Sequence, residues 1–328
     1  MRGSIMEGWL FGAAVLGVVL LIAGWLRRAG RDRPDPSVQL PSAVAADIPA
    51  ATFGRFRIVG PRQSAGAMSW QLDATDPDSG SPLLIKWVRK PGQPGAGPPG
   101  DALARLRALE NESTTLSEVQ GPGIAALVAR GSDERVAWMA LARIPGCDLE
   151  RRVQDGGPIT PGEVERLAKA LAKALGRVHQ AGYTHGDIKP ANIMIDAQAS
   201  GAVLIDFGMA RRIGAESFDA AAFAGSPAYW APEIVTRAAL TATPATDWYA
   251  LGASLWFAAT GRPPRTGESL AALLHSIAND PLPDLTALAP ALDASLSSTV
   301  VAWLDRDPQV RCAAADSFLR TTMIAAKA

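Results

Sequence analysis

Three short strings occur in a fixed order in the second half of this chain, and they constrain its fold more than any other feature. The first string is H-G-D-I-K-P-A-N, which runs from His185 to Asn192. The second is D-F-G, which begins fourteen residues later at Asp206, and the third is S-P-A-Y-W-A-P-E, which ends at Glu233. Any one string could arise by chance, but three in this order, with a suitably placed lysine upstream, essentially cannot. We therefore interpret them as one functional set.

The residue types in this set match what phosphoryl transfer from ATP to a hydroxyl requires. Together the motifs resemble those of eukaryotic-like (Hanks-type) Ser/Thr protein kinases of bacterial type. The resemblance implies that Asp187 accepts the hydroxyl proton and that Lys189 contacts the moving phosphate. It also implies that Asn192 and Asp206 bind Mg²⁺, with Mn²⁺ as an alternative. Because Pro190 follows Lys189, the motif resembles Ser/Thr-specific rather than tyrosine-specific enzymes.

The resemblance covers roughly residues 54–326. It implies an α+β, two-lobed protein kinase fold, with a small antiparallel β-sheet and one main helix in the N-lobe and a mostly α-helical C-lobe. We expect the following segments in chain order: an N-terminal anchor with its basic flank at 1–33, a Pro/Ala-rich linker at 34–53, and a kinase domain at 54–328, divided into N-lobe 54–141, hinge 142–146 and C-lobe 147–328.

Composition excludes several other classes of protein. Lys plus Arg and Asp plus Glu both total 32, so the net charge gives no indication of a nucleic-acid partner. Cys147 and Cys312 have neither metal-ligand nor redox spacing, and three histidines are too few and too scattered for a metal cluster. The two cysteines are expected to be small core residues in a reducing compartment.

The N-terminal segment predicts a membrane anchor. Residues 9–26 form an uncharged run of eighteen residues bounded by Trp9 and Trp25, and a helix of this length spans about 27 Å, enough to cross a bilayer core. Four arginines follow within residues 27–33, which places the C-terminal side in the cytoplasm. We therefore expect a single-pass protein of the inner or plasma membrane with a cytoplasmic kinase domain. The alternative, a cleaved secretory signal, would need its basic residues before the apolar run.

Two further expectations concern this anchor. Gly8 and Gly12 form a GxxxG pattern that could serve as a helix-dimer contact. Small residues are so common in this segment that chance explains the pattern better than a dimer does. Only eight residues precede the span, so no sensor domain is expected on the far side of the membrane.

An alternating strand pattern places the upstream lysine. Lys86 lies in L-L-I-K-W-V, which resembles the third kinase strand, where the lysine pairs with the ATP α- and β-phosphates. Its partner should be a glutamate on the strongly helical run that follows. Both Glu110 and Glu112 are candidates, and the distance to Ile124, taken as the family places it, favours Glu112.

The phosphate-binding loop departs from the family pattern G-x-G-x-x-G. With Gly66 at the third glycine, Pro61 and Gln63 occupy the first two positions. A proline donates no N–H, and Gln63 lacks the conformational freedom of glycine. We therefore expect weaker phosphate binding, and a pseudokinase that binds partners with little or no turnover is the alternative function.

The segment between the lobes resembles the kinase hinge. The resemblance places the backbone groups of Ala142 to Ile144 opposite adenine. It also places Asp148 at the ribose hydroxyls, although an Asp before a Leu is often a helix cap.

Downstream residues separate a protein kinase from small-molecule kinases that share H-G-D and I-D-F. Asp247 resembles the aspartate that braces the catalytic loop, and Arg311 matches the arginine that pairs with Glu233. Gly186 replaces the arginine of the usual H-R-D, so activity should not depend on a phosphorylated activation loop. The expected partners are proteins with Ser/Thr acceptors.

Overall fold

The computed structural model describes residues 53–62, 69–195, 201–215, 226–236 and 242–325. These residues form two compact units. The N-terminal unit contains the described residues up to Ile144 and, in addition, Asp206–Ala210. The C-terminal unit contains Pro145–Ile205 and the described residues from Arg211 onward.

The N-terminal unit is built on an antiparallel sheet with the strand order β1-β2-β3-β5-β4. One long helix, α1, packs on strands β3, β4 and β5. The elements are β1 (Arg57–Arg62), β2 (Trp70–Thr75), β3 (Pro82–Arg89), α1 (Pro99–Glu118), β4 (Leu127–Ser132) and β5 (Val136–Ala142).

The two faces of β3 carry different chemistry, because successive side chains of a strand point to opposite sides. Ile85 and Trp87 lie in an aromatic cluster in which Trp87 stacks on Trp70 with ring centroids 4.7 Å apart. Phe53 adds an edge contact to Trp87 from the start of the described chain. Lys86, which lies between Ile85 and Trp87 in the strand, points to the opposite face of the sheet.

Helix α1 buries one stripe of its surface. Leu109, Glu112 and Leu116 are buried along this stripe, and Val119, which caps the helix, is buried just beyond it. The stripe follows the helical repeat, so Glu112 shares this buried face with Leu109 and Leu116.

The C-terminal unit is mostly helical and contains two small sheets, β6-β8-β9 and β7-β10. Its elements are β6 (Cys147–Asp148), α2 (Leu149–Gly156), α3 (Pro161–Gln180), β7 (Tyr183–Thr184), β8 (Ile193–Ile195), β9 (Ala202–Leu204), β10 (Arg211–Arg212), α4 (Pro232–Thr236), α5 (Pro244–Thr260), α6 (Leu270–Asn279), α7 (Leu285–Leu288), α8 (Ala294–Trp303) and α9 (Pro308–Ala325).

Two capped helices, α3 and α5, form the core of this unit. Helix α3 begins with a capping box between Thr160 and Glu163, and Pro161 at its first position adds no unpaired N–H. Its apolar residues recur at helical spacing and are buried. Helix α5 begins with a similar box at Thr243 and is buried on nearly every side, in keeping with its mostly apolar sequence.

The predicted fold class is confirmed in its main features, an antiparallel sheet with one helix and a mostly helical second unit. In the part of the chain that the structure describes, no helix has both the length and the apolar character needed to cross a membrane. The span predicted at 9–26 lies outside the described residues.

Candidate active site

In the N-terminal unit, a buried lysine contacts two carboxylates. The Nζ atom of Lys86 lies 2.8 and 3.0 Å from the two carboxylate oxygens of Glu112, and 3.3 Å from Oδ1 of Asp206. The side chains of Lys86 and Glu112 are only 9% and 4% exposed, whereas Glu110 is exposed. The structure thus selects Glu112 over Glu110 as the partner of Lys86.

The charges in this cluster shift the pKa values of both partners. Burial alone would lower the pKa of Lys86, but the carboxylates of Asp206 and Glu112 outweigh burial and raise it, so this ammonium stays charged. Burial raises the pKa of Glu112 to about 7 against the opposing effect of Lys86, and the charge of Asp206 adds to the rise. A fixed positive charge in a buried position is suited to binding phosphate.

Asp206 has an unusual backbone conformation. Its φ of 66° and ψ of 70° lie in the left-handed region, and it is the one non-glycine residue with positive φ in the described ranges. Such conformations are costly and concentrate at functional sites. A short 3₁₀ turn, Phe207–Met209, follows, and the backbone N–H of Phe207 donates to the Glu112 carboxylate.

In the C-terminal unit, the three catalytic-loop residues contact one another. Oδ2 of Asp187 accepts from Nζ of Lys189 at 2.7 Å and from Nδ2 of Asn192 at 2.9 Å. Nδ2 of Asn192 also donates to the backbone oxygen of Asp187 at 2.8 Å. These bonds give Asp187 a fixed orientation and place an ammonium beside it.

A buried aspartate holds the backbone of this loop. Asp247, on α5, accepts from the N–H groups of His185 and Gly186 at 2.8 and 2.9 Å, as the sequence predicted. Nε2 of His179 lies 2.9 Å from the same carboxylate. The sequence alone does not indicate this contact, because His179 and Asp247 lie 68 positions apart in the chain.

The hinge residues 142–144 differ in whether their backbone N–H groups are hydrogen-bonded. The N–H of Ala142 donates to the backbone oxygen of Ala126 at 2.9 Å, and the N–H of Arg143 donates to the backbone oxygen of Pro82 at 3.1 Å. The N–H of Ile144 makes no hydrogen bond to the residues that the structure describes. Of the predicted adenine contacts, Ile144 therefore retains a donor. Because the N–H of Ala142 is already bonded, the adenine contact predicted for Ala142 would have to use its carbonyl, and it stays a prediction.

Asp148 caps a helix. Its Oδ1 atom accepts from the N–H of Arg151 at 2.8 Å at the start of α2. This is the alternative that sequence reasoning had left open. A ribose contact by the same residue stays a prediction.

A buried ion pair joins α4 to α9. The guanidinium of Arg311, which is fully buried, contacts the carboxylate of Glu233, and this predicted pair is confirmed. Arg311 also donates to the backbone oxygens of Ala245 and Asp305 at 2.9 and 2.7 Å.

Of the phosphate-binding loop, only its first part is described. Pro61 lies in β1 opposite Leu72, and β1 is an edge strand, where a residue without an N–H is tolerated. Gln63 and Gly66 lie outside the described residues.

The residues that the resemblance assigns to Mg²⁺ have suitable donor atoms. Because Nδ2 of Asn192 bonds to Asp187, its Oδ1 is the amide atom left to act as a ligand, and Asp206 offers a carboxylate whose side chain is 47% exposed. No group of three or more His, Cys, Asp or Glu residues in the described ranges could hold a metal alone. In proteins, Mg²⁺ is usually bound by one or two carboxylates together with substrate phosphates.

The fold and these two clusters have the features of a protein kinase domain. The chain belongs to the protein kinase domain family, whose pattern it matches over residues 66–321. It is 31% identical over 260 residues to the probable serine/threonine-protein kinase PkwA of Thermomonospora curvata. That match covers 79% of this chain and 33% of PkwA. It is 34% identical over 218 residues to the serine/threonine-protein kinase AfsK of Streptomyces coelicolor, covering 66% of this chain and 26% of AfsK.

A third relative is the serine/threonine-protein kinase PknB of Mycobacterium tuberculosis, which is 32% identical over 211 residues. That match covers 62% of this chain and 33% of PknB. The chain therefore spans about a quarter to a third of the length of these relatives.

Proposed function

We propose that this chain is a membrane-tethered serine/threonine protein kinase that transfers the γ-phosphoryl group of ATP to protein hydroxyls. One observation carries the proposal: the buried ammonium of Lys86 is held by Glu112 and lies 3.3 Å from Asp206. A buried cation held by two carboxylates has no evident structural purpose here, because apolar side chains would fill the space at less cost. Its arrangement is the one that phosphate binding in this family requires.

The proposed reaction uses residues from both clusters. Asp187 accepts the proton of the acceptor hydroxyl, whose oxygen bonds to the γ-phosphorus while the bond to ADP breaks. Lys189, beside Asp187, is charged and offsets the negative charge of the transferred group. Bound Mg²⁺ would neutralise the phosphates, with Asn192 and Asp206 as its protein ligands.

Incubation of the purified chain with radiolabelled ATP and Mg²⁺ tests this function. Asp187→Asn and Asp206→Asn should each lower labelling of the chain, and of an added acceptor protein, at least about 100-fold. Asp155→Asn is the matched control, because Asp155 is exposed on α2 and its ion pair with Arg151 is a surface pair. Circular dichroism establishes that each variant is folded.

The products distinguish the classes of kinase. Phosphoserine or phosphothreonine in acid hydrolysates supports the proposal. Wild-type-like labelling by either site variant would contradict it, and label found only on small molecules would move the chain to the small-molecule kinases.

A second function, that of a pseudokinase binding module, is favoured by Pro61. This residue lies in β1 at the first glycine position of the phosphate-binding loop and has no N–H to donate. The two functions differ in ATP KM and turnover. If the only deficiency is weak phosphate binding by this loop, Gln63→Gly should lower the KM for ATP. A pseudokinase would show no turnover either as the wild type or as the Gln63→Gly variant.

The tether rests on the sequence of residues 9–26, with its flanking tryptophans and following arginines. The proposed location is the inner or plasma membrane, with the kinase domain in the cytoplasm, where ATP is present.

A further inference from the structure

An asparagine next to Glu112 contacts the D-F-G segment at three places. Nδ2 of Asn111 lies 2.8 Å from the backbone oxygen of Ala210 and 3.1 Å from that of Gly208. A third, longer contact of 3.4 Å reaches the oxygen of Phe207. All of these residues belong to the N-terminal unit, although about a hundred residues of sequence separate the two segments.

The chemistry of these contacts fixes the orientation of the amide. An asparagine side chain has two N–H donors and one acceptor oxygen, and carbonyl oxygens can only accept. The opposite orientation of Asn111 would place its oxygen against three carbonyls. The carbonyl of Phe207 also accepts the N–H of Ala210, and the amide of Asn111 donates to the carbonyls of Gly208 and Ala210 at the end of the Phe207–Met209 turn.

Nothing local to α1 requires an asparagine at this position. Asparagine has a lower helix propensity than alanine, leucine or glutamate, and Asn111 lies in the interior of a twenty-residue helix. Its contacts reach a remote segment rather than its own helix. The residue therefore has a role in that segment.

Helix α1 holds the segment at neighbouring positions. Besides the Asn111 bonds, Glu112 accepts the N–H of Phe207, and Gly208 lies so close to Ala108 that an added Cβ would approach the Ala108 Cβ to 3.7 Å. The segment follows Asp206, whose left-handed conformation must be maintained by its surroundings. The three α1 residues provide such surroundings from a single element.

We propose that Asn111 is a positioning residue that holds Asp206 toward Lys86, and hence toward the metal and phosphates that these two residues bind. This inference rests on the proposed function, because the metal role of Asp206 is part of that function. Asn111 itself touches neither the metal nor the substrate. It acts through the carbonyls of Gly208 and Ala210, much as groups behind a metal ligand orient that ligand.

Nucleotide binding with and without Mg²⁺ tests the inference without relying on turnover. A fluorescent ATP analogue is titrated into the wild type, Asn111→Ala and Asn111→Asp, first with Mg²⁺ and then with EDTA. The gain in affinity that Mg²⁺ gives should fall about 10- to 100-fold in both variants, as for other residues that orient metal ligands. Binding in EDTA, which depends on Lys86, should not change.

The matched control is Asn279→Asp, the same chemical change on helix α6, where Nδ2 of Asn279 bonds to His275 and to no other residue in the described ranges. This control should keep the full Mg²⁺ effect. If Asn111→Ala does not fold, the nearly isosteric Asn111→Asp carries the comparison. An unchanged Mg²⁺ effect in a folded variant would overturn the inference.

A second measurement separates this inference from the proposed function. If the wild type gains no affinity from Mg²⁺, the proposed function fails, and hydrogen exchange then tests Asn111 alone. Exchange of the Phe207 and Ala210 amides, which bond to Glu112 and Phe207, should become faster in the Asn111 variants. Unchanged exchange would show that Asn111 does not hold the segment.

Discussion

Two residues of the motifs have positive φ angles, but one is a glycine and the other is an aspartate. Gly186, at the position where the family usually has arginine, has a φ of 80°, and Asp206 has a φ of 66°. Glycine reaches such angles without strain, whereas aspartate does so at a cost. Glycine at position 186 therefore avoids the backbone strain that an arginine would have at this angle.

A side chain at position 186 should destabilise the protein. Gly186→Ala should lower the free energy of unfolding by about 1–2 kcal/mol, because an L-residue is strained at this φ, and Gly186→Arg should cost at least as much. Gly100→Ala is the control, since Gly100 lies in α1 without positive φ and an added Cβ would have no neighbouring atom within 4 Å. Urea denaturation measures both. Equal effects of the two alanine variants would refute the argument from φ.

The raised pKa of Glu112 makes a prediction about stability and pH. The carboxyl binds its proton up to about pH 7 in the folded state, against an ordinary value of 4.5. Between these values the folded state binds more protons, so the free energy of unfolding falls as the pH rises, by up to about 3 kcal/mol. Glu112→Gln should remove this slope between pH 5 and 8. A slope identical to that of the wild type would mean that other groups cause it.

At the level of elements, helix α5 supports the catalytic loop. Its Asp247 accepts two N–H groups of the catalytic loop, and its Ala245 oxygen accepts from Arg311 of α9. Because α5 is buried on nearly every side, packing fixes its position. The hydrogen bonds of Asp247 then fix the backbone of the catalytic loop relative to α5.

The pair between α4 and α9 should be sensitive to the loss of one partner. Glu233→Gln or Glu233→Ala leaves the Arg311 charge buried and should cost about 3–5 kcal/mol of unfolding free energy. The double variant Glu233→Leu, Arg311→Met should cost less than the two single changes added together. Asp155→Ala, at an exposed pair, should cost at most about 0.5 kcal/mol. Thermal or urea denaturation measures the series, and additive effects would show that the pair is not coupled.

The parts of the site that sequence could predict are those carried by regular elements. The strand alternation around Lys86 and the helical repeat around Glu112 put both side chains on defined faces, so their pairing followed. Asn111 and His179 were missed because their partners are groups on segments far away in the chain, and no period in the sequence reports such contacts. Asp148 shows a limit of another kind, since one aspartate suits both a helix cap and a ribose contact.

For the whole molecule, the decisive prediction concerns the membrane. We expect the chain to sediment with membranes and to resist release by high salt or alkaline carbonate, because residues 9–26 would be embedded in the bilayer. Deleting residues 1–33 should move the protein to the supernatant with its kinase activity retained. A reporter fused after residue 328 should be active only in the cytoplasm, and activity only outside it would overturn the proposed orientation.

The division of the chain into units has a consequence for biosynthesis. Asp206–Ala210 belongs to the N-terminal unit but follows sixty-one residues of the other unit, Pro145–Ile205. A nascent chain that has emerged only as far as Ile144 therefore lacks the acceptors of Asn111 and one of the two carboxylates around Lys86. Domains tend to fold in order as they leave the ribosome. The N-terminal unit is an exception, because the contacts of Lys86 with Asp206 and of Asn111 with Ala210 can form only after residue 210 has been synthesised. A fragment that ends at the hinge should accordingly be a poor substitute for this unit.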